Sequence, residues 1–477
     1  MKLTRRDAIK TAAGVLALAG NAQAAVGPVM EKVSAYMAAA AGRALPEEAG
    51  EKTKQHILDT FAAMVSGTEL PPGKIALKMA AAYKGERTAT IAGSNLLCSP
   101  IDAALVNGLL AHSDETDDSH ALSHSHPGCS MVPAALAAGE QFGVDGNRFL
   151  RSVALGYDIG PRVTMTLGAL PYQMATFRSS HSISSDFGAS AAAGCAAGLN
   201  AQQMRWLLDY ASQQASGTTA WQRDTDHIEK GLVFGGFPAR NGVTAALLIQ
   251  LGGTGVDDVF SGPSNFFAAF VAKGKPEQML DGLGERYEVT RTNIKKWTVG
   301  SPIQAPLDCL ENISKKKTFD AKDVKSVVVR MPSSEANTVN NREMPDISLQ
   351  HMVAVMLIDK AATFAAAHDK PRMQDPAILR EKAKVNLVFD EELEKLAPLR
   401  VAIVEVTLND GNKLTERVDY VRGTVENPMT RQEVIAKSQD LMSPILGSSK
   451  TGQLISKIFG LENVKDIREL RGLLQKS

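Results

Sequence analysis

From about residue 28 to residue 275, apolar positions recur every three to four residues, the spacing that gives a helix one buried face. Ala49–Val65, Asp102–Ser113, Pro133–Phe142 and Phe149–Leu167 are the clearest such segments, and each predicts a helix. Pro133 stands at the start of its segment, where the first helical turn has no partner for the missing N–H. Nearly every side chain in Ala189–Gly198 is small, and small residues recur at Ala134–Gly139, which predicts buried faces closely approached by neighbours. Ser119–Ser130 lacks the period and contains Pro127-Gly128, so it predicts a loop. After about 295 the pattern changes. Val324–Met331 is β-branched and strand-like. Val401–Leu408 and Lys413–Tyr420 flank Asn409–Asn412 as a hairpin. Ile347–Ala367 predicts one long helix between these strands, and helical spacing returns from about 428. The pattern predicts a mostly α chain: a large all-helical domain over 28–290, a smaller α+β domain over 291–427, and C-terminal helices over 428–477 that pack back on the first domain.

Residues 1–24 stand outside this pattern and read as an export leader. Lys2, Arg5, Arg6 and Lys10 precede a mildly apolar stretch and Ala22-Gln23-Ala24, an A-x-A cleavage site. Thr4–Lys10 contains Arg5-Arg6 and resembles the twin-arginine signal, with Ala8 where a bulky apolar residue is usual. The expectation is a periplasmic protein. Composition then narrows the classes. Lys+Arg and Asp+Glu number 52 each, so the basic balance of a nucleic-acid binder is missing. Cys98, Cys129, Cys195 and Cys309 lie far apart, which excludes a disulfide scaffold and a zinc ribbon. No apolar run reaches the about 18 residues of a membrane span, so no membrane partner is expected once the leader is removed.

The chemistry concentrates between Asn107 and Pro133. Four of the nine histidines lie between His112 and His126, together with Asp114, Glu115, Asp117 and Asp118. Three readings fit this density: a polar surface loop, a metal site, or an acid/base site without metal. The metal reading lacks HExxH, paired CxxC or any other fixed ligand spacing. Carboxylate–imidazole pairs suit the third, because they tune histidine to move protons near neutral pH, and it is the reading adopted.

The same segment resembles the MmgE/PrpD family, which includes 2-methylcitrate dehydratase, cis-aconitate decarboxylase and iminodisuccinate epimerase. The residues that carry the resemblance are Asn107-Gly108, Ala111-His112, Glu115-Thr116-Asp117-Asp118 and His126-Pro127. Ile57–Thr60, Phe187–Ala189, and Pro428 with Lys437 add support across almost the whole chain after the leader. The resemblance implies a helical domain with an α+β lid and a site between them. It implies proton transfer next to a carboxylate on a small carboxylic acid, with no cofactor and no metal, by a homodimer. Carried over, His126 is the general acid/base, Glu115 stands for the usual Asp, and Asp117 and Asp118 hold the loop. Lys230 takes the family's basic position and His181 precedes the small-residue helix. His112, His120, Arg223, His227 and Lys295 are the expected substrate contacts.

The chain also departs from the family. Val233 and Gly300 stand where the family has histidines, which removes two positions that bind substrate carboxylates. Trp221, Arg223 and His227 appear just before Lys230, and Trp221 offers either an aromatic wall or core packing. The expectation is a hydro-lyase whose substrate has one or two carboxylates and an apolar part. An epimerase or decarboxylase of the same family, and an exported carboxylate-binding protein without turnover, are the alternatives.

Overall fold

The computed structural model describes residues 26–83, 85–270 and 274–476; the expected leader lies outside them. Two hydrophobic cores organise the chain. One gathers buried residues from Val29 to Ile294 and again from Met429 to Leu474. The other is confined to Val299–Val421. The fold is mostly helical, with a small α+β domain. At the centre of the first core lies the helix Ser180–Ala197, every residue of which is buried. It packs against Gly146–Leu167, Gly128–Phe142 and Phe237–Gln250. Its alanines and glycines allow this, since neighbouring backbones come within the reach of a side chain. The continuous helical run Ile228–Gln250 has the length and hydropathy of a membrane span, against the expectation that no run does. It is a core element: 56% of its most apolar window is buried.

Three expectations change. The helix placed at Pro133 begins at Gly128, so Pro133 lies inside it and the loop ends at Pro127. The polar segment starts the helix itself: Asp118 Oδ1 accepts from Gly128 N at 2.9 Å, and the fixed φ of Pro127 suits a helix entry. The long helix expected over Ile347–Ala367 is broken. Leu349–Asp359 ends at Lys360, in the left-handed region at φ 59°, and a second helix, Phe364–His368, starts at Thr363, whose side chain accepts from Ala366 N. The third change is an added strand, Val385–Asp390. It pairs in parallel with Val324–Pro332, whose other edge pairs antiparallel with Ala402–Leu408 and then Lys413–Val418.

The C-terminal helix Arg431–Leu446 packs on Glu47–Gly67. Its start carries a capping box between Thr430 and Glu433. It brings Lys437 Nζ to 2.6 Å from Asp59 Oδ1 and 3.0 Å from Thr116 O, so the end of the chain braces the polar segment.

Candidate active site

The helix Pro100–Ala111 delivers the polar segment into the protein interior. Asn107 is structural: it donates to Thr90 O at 2.8 Å and accepts from Ala92 N at 3.0 Å. Gly108 and Gly235 let the π-helical turn Leu232–Gly236 approach backbone to backbone, because a Cβ on Gly108 would stand 2.5 Å from Gly235 O and one on Gly235 would stand 2.1 Å from Gly108 O. That approach seats Phe234 over the segment. His112 caps the helix and begins the cluster.

Asp117 is the centre of the cluster. Its Oδ2 lies 2.9 Å from His112 Nδ1 and its Oδ1 lies 3.2 Å from His126 Nδ1. An ionised Asp117 accepts from both Nδ1–H groups, which leaves each Nε2 with a free lone pair. His112 is fully buried and its Nε2 has no protein partner. The His126 side chain keeps 10% of its surface, so it is the imidazole of the pair that reaches open space. Beside it, Glu115 bonds Lys230 Nζ through Oε1. Lys295 Nζ donates to Glu115 O at 2.8 Å and to Oε2 at 3.4 Å, and lies 3.8 Å from Asp117 Oδ1. His227 Nε2 is 3.7 Å from Glu115 Oε1. His227 sits at φ 62°, a conformation side chains rarely adopt, which turns the ring into the cluster.

An aromatic wall closes the other side. Phe234 stacks on His181 at 4.1 Å and on His112 at 4.8 Å between ring centroids. Trp221 meets His181 and Phe234 edge-on at 5.4 and 4.8 Å. Lys230 Nζ stands 5.5 Å from the Phe234 ring and 5.7 Å from that of Trp221. The indole Nε1, His181 Nδ1 and both nitrogens of His227 are buried without a hydrogen bond.

Burial pushes the Glu115 carboxyl up, but Lys230 and Lys295, aided by His227 and His112, hold it well below the usual carboxylate range. Burial likewise opposes Asp117, and His112 and His126 overcome it, holding it well below that range. Burial lowers His126, although Asp117 pulls the other way. It lowers His181 and His227 further, with neighbouring histidines and Lys230 adding to the effect. At neutral pH the cluster therefore holds two carboxylates, two lysines and neutral imidazoles at His126, His181 and His227.

Two triads, His112–Asp117–His126 and His112–Glu115–His227, bring possible metal-ligand atoms within 4.8 Å of one another. In both, a lysine already faces the carboxylate. An added divalent ion would leave buried positive charge without a counter-charge, so the residues present fit a lysine-balanced site better than a metal centre.

Two expected substrate contacts, His120 and Arg223, stand apart, and Asp118 keeps its expected place in holding the loop. Asp118 is bonded by His56 Nδ1 at 2.7 Å, Tyr157 Oη at 2.5 Å and Gly128 N, so it holds the loop rather than facing a substrate. His120 turns away, to Ser123 Oγ at 2.8 Å and Glu288 Oε2 at 3.2 Å. Arg223 is exposed on the 3-10 turn Thr219–Arg223, outside the buried cluster. The structure brings together His112, Glu115, Asp117, His126, His181, His227, Lys230 and Lys295. Sequence reasoning missed Phe234, Asp346, which lies on the turn Pro345–Ile347 beside His368, and His368 itself, whose Nε2 is 2.8 Å from Asp114 Oδ2. The first stood beside a position noted only for its valine. The other two lie far along the chain, with no local motif to mark them.

Family models for the MmgE/PrpD N-terminal and C-terminal domains match residues 31–279 and 297–459. Among curated proteins, a cis-aconitate decarboxylase-like protein of Aspergillus oryzae is 24% identical over 90% of this chain and 94% of its own length. Cis-aconitate decarboxylase of Aspergillus terreus is 23% identical over 90% and 92%. Its Homo sapiens counterpart is 24% identical over 89% and 90%. The two family models between them span most of the chain, and with the cluster just described they show that this chain belongs to the MmgE/PrpD family.

Proposed function

We propose that this chain is a lyase that moves a proton at the carbon next to a carboxylate of a small carboxylic acid, with no metal or organic cofactor. The observation that carries this reading is the Asp117-bridged pair of imidazoles beside Glu115, Lys230 and Lys295. A proton-abstracting group needs a free lone pair at working pH. His126 supplies one at Nε2, its ring held by Asp117 and kept neutral by burial. Glu115 is too firmly ionised to be the better base. It fixes the two lysines, which face the developing enolate charge. Dehydration is the reaction favoured: His126 Nε2 takes the carbon-bound proton, and the imidazolium so formed returns it to the hydroxyl, which leaves as water as the C–O bond breaks and the C=C bond forms. Decarboxylation is the second reading, favoured by relatives named cis-aconitate decarboxylase along nearly the whole chain.

Charge sets the substrate class. Lys230 and Lys295 are the lysines of the cluster and are shared with Glu115 and Asp117, so they can face one or two further carboxylates and not three. Each buried carboxylate without a cationic partner costs several kcal/mol. A substrate with one or two carboxylates and an apolar part against Trp221 and Phe234 fits; a tricarboxylate does not. Arg5-Arg6 supports export to the periplasm, and family membership supports a homodimer. The test is kcat/KM across a panel from tricarboxylates (2-methylcitrate, cis-aconitate) to monocarboxylates. Highest values at one or two carboxylates are expected. Efficient turnover of 2-methylcitrate or cis-aconitate overturns the substrate class, and binding without turnover across the panel makes this a binding protein.

A further inference from the structure

One buried histidine reaches the cluster from the α+β domain. His368 ends the helix Phe364–His368, and its Nε2 lies 2.8 Å from Asp114 Oδ2. Its Nδ1 lies 2.6 Å from Phe364 O, which fixes the ring against its own helix. Asp114 accepts from Thr116 N at 2.9 Å through Oδ1 and from Thr116 Oγ1 at 2.5 Å through Oδ2. The carboxylate thus clasps a tight turn whose middle residue is Glu115. Two other groups hold the same turn: Lys295 on Glu115 O and Lys437 on Thr116 O. Of the three, His368 alone comes from the core of the α+β domain.

We propose that His368 is a positioning residue which, by holding Asp114, sets the place of Glu115 against Lys230 and Lys295 and so couples the seating of the α+β domain to the proton-transfer groups. The inference rests on the acid/base reading of the site. Burial alone would make this imidazole neutral. Asp114 outweighs burial and raises it to about 9, with Asp346 on the turn Pro345–Ile347 adding to the effect. Beyond Asp346, Glu115 and Lys230 complete the charged groups of this corner. Asp114 is held low by His368 and Thr116 despite its burial. At neutral pH the contact is an ion pair in the interior. Losing its cation leaves a buried carboxylate that must turn away, and the Glu115 turn moves with it.

The experiment has an arm that needs no substrate. In full-length protein labelled with 13C at histidine Cε1, one imidazole is expected to titrate near pH 9 and to vanish in His368→Asn. The signals of His227 and His112, which face Glu115, are expected to move with the same midpoint in the wild type. They are expected to show no alkaline step in His368→Asn or in the near-isosteric Asp114→Asn. The kinetic arm uses the acid with the highest kcat/KM in the panel. His368→Asn is expected to lower kcat between about ten- and a hundredfold, the range a small displacement of reacting groups produces, with KM within about twofold. His368→Lys, which restores a cation, is expected to recover part of kcat. Folded His368→Asn with unchanged kcat, or His227 and His112 signals that ignore the step near pH 9, reduces the pair to a docking contact and overturns the proposal. A panel with no turnover defeats the acid/base reading instead, while the titration still decides whether Glu115 is coupled to His368.

Discussion

Asp117 serves two imidazoles at once, and the difference between them decides which one acts. Both present Nδ1 to the carboxylate, but His112 is sealed beneath Phe234 while His126 retains surface. His126→Ala is expected to lower kcat by about a hundredfold or more, the usual worth of a positioned acid/base group, with an unchanged melting temperature as the check on folding. Because burial lowers the His126 pKa from 6.5, the base form persists as the solution is acidified. The acid limb of kcat/KM is therefore expected below pH 6.5; a limb above pH 7 would assign the proton to another group. Chelator is expected to leave activity intact, and loss restored by zinc would place an ion on the His112–Asp117–His126 triad. Much of this was legible in the sequence because Glu115, Asp117 and His126 lie within twelve residues. What composition cannot tell is direction. Asp117 and Asp118 are adjacent, yet one faces His112 and the other faces His56 and Tyr157. His120 belongs to the Glu288 corner for the same reason.

At the scale of elements, helical spacing identified the helices that bury one face, and β-branching identified three of the four strands of the larger sheet. Val385–Asp390 escaped because it is the outer strand of its sheet, half exposed, and its sequence does not alternate. The break at Lys360–Thr363 escaped because alanines continue helical spacing straight across it. That break has a consequence for the site, since it turns Phe364–His368 toward Asp114. The π-helical turn was invisible for another reason: its register is set by a contact with Gly108, more than a hundred residues earlier. Gly235→Ala tests that contact. Its added Cβ meets a carbonyl rather than a yielding side chain, so a loss of about 1–3 kcal/mol of stability is expected from overpacking, read by denaturant unfolding. A fall in kcat is expected with it, as Phe234 is pushed against His181 and His112. A neutral outcome would show that Phe234 is not seated by this approach.

At the scale of the whole molecule, the His368–Asp114 pair joins the α+β domain to the helical one and makes stability depend on pH in a defined direction. The unfolded chain binds this proton below about pH 6.5, whereas the folded protein keeps it up to about 9. The pair's contribution is therefore full below about pH 6.5, declines as pH rises, and is gone above about 9. The difference in melting temperature between wild type and His368→Asn is expected to be largest near pH 6 and to vanish near pH 10. A difference independent of pH would mean that His368 acts by packing alone. Outside the described residues, replacing Arg5 and Arg6 with lysine is expected to leave the precursor in the cytoplasm, read by fractionation. Unchanged export would remove the twin-arginine reading and leave the chemistry untouched.

The central claim is that His126 moves a carbon-bound proton of a small carboxylic acid. The most direct measurement is deuterium incorporation from D2O into the carbon next to the carboxylate, followed by mass spectrometry for each acid of the panel with wild type and His126→Ala. Enzyme-dependent incorporation is expected for acids with one or two carboxylates, and its loss in folded His126→Ala. Equal incorporation by the variant, or binding with no exchange by the wild type, would contradict the central claim.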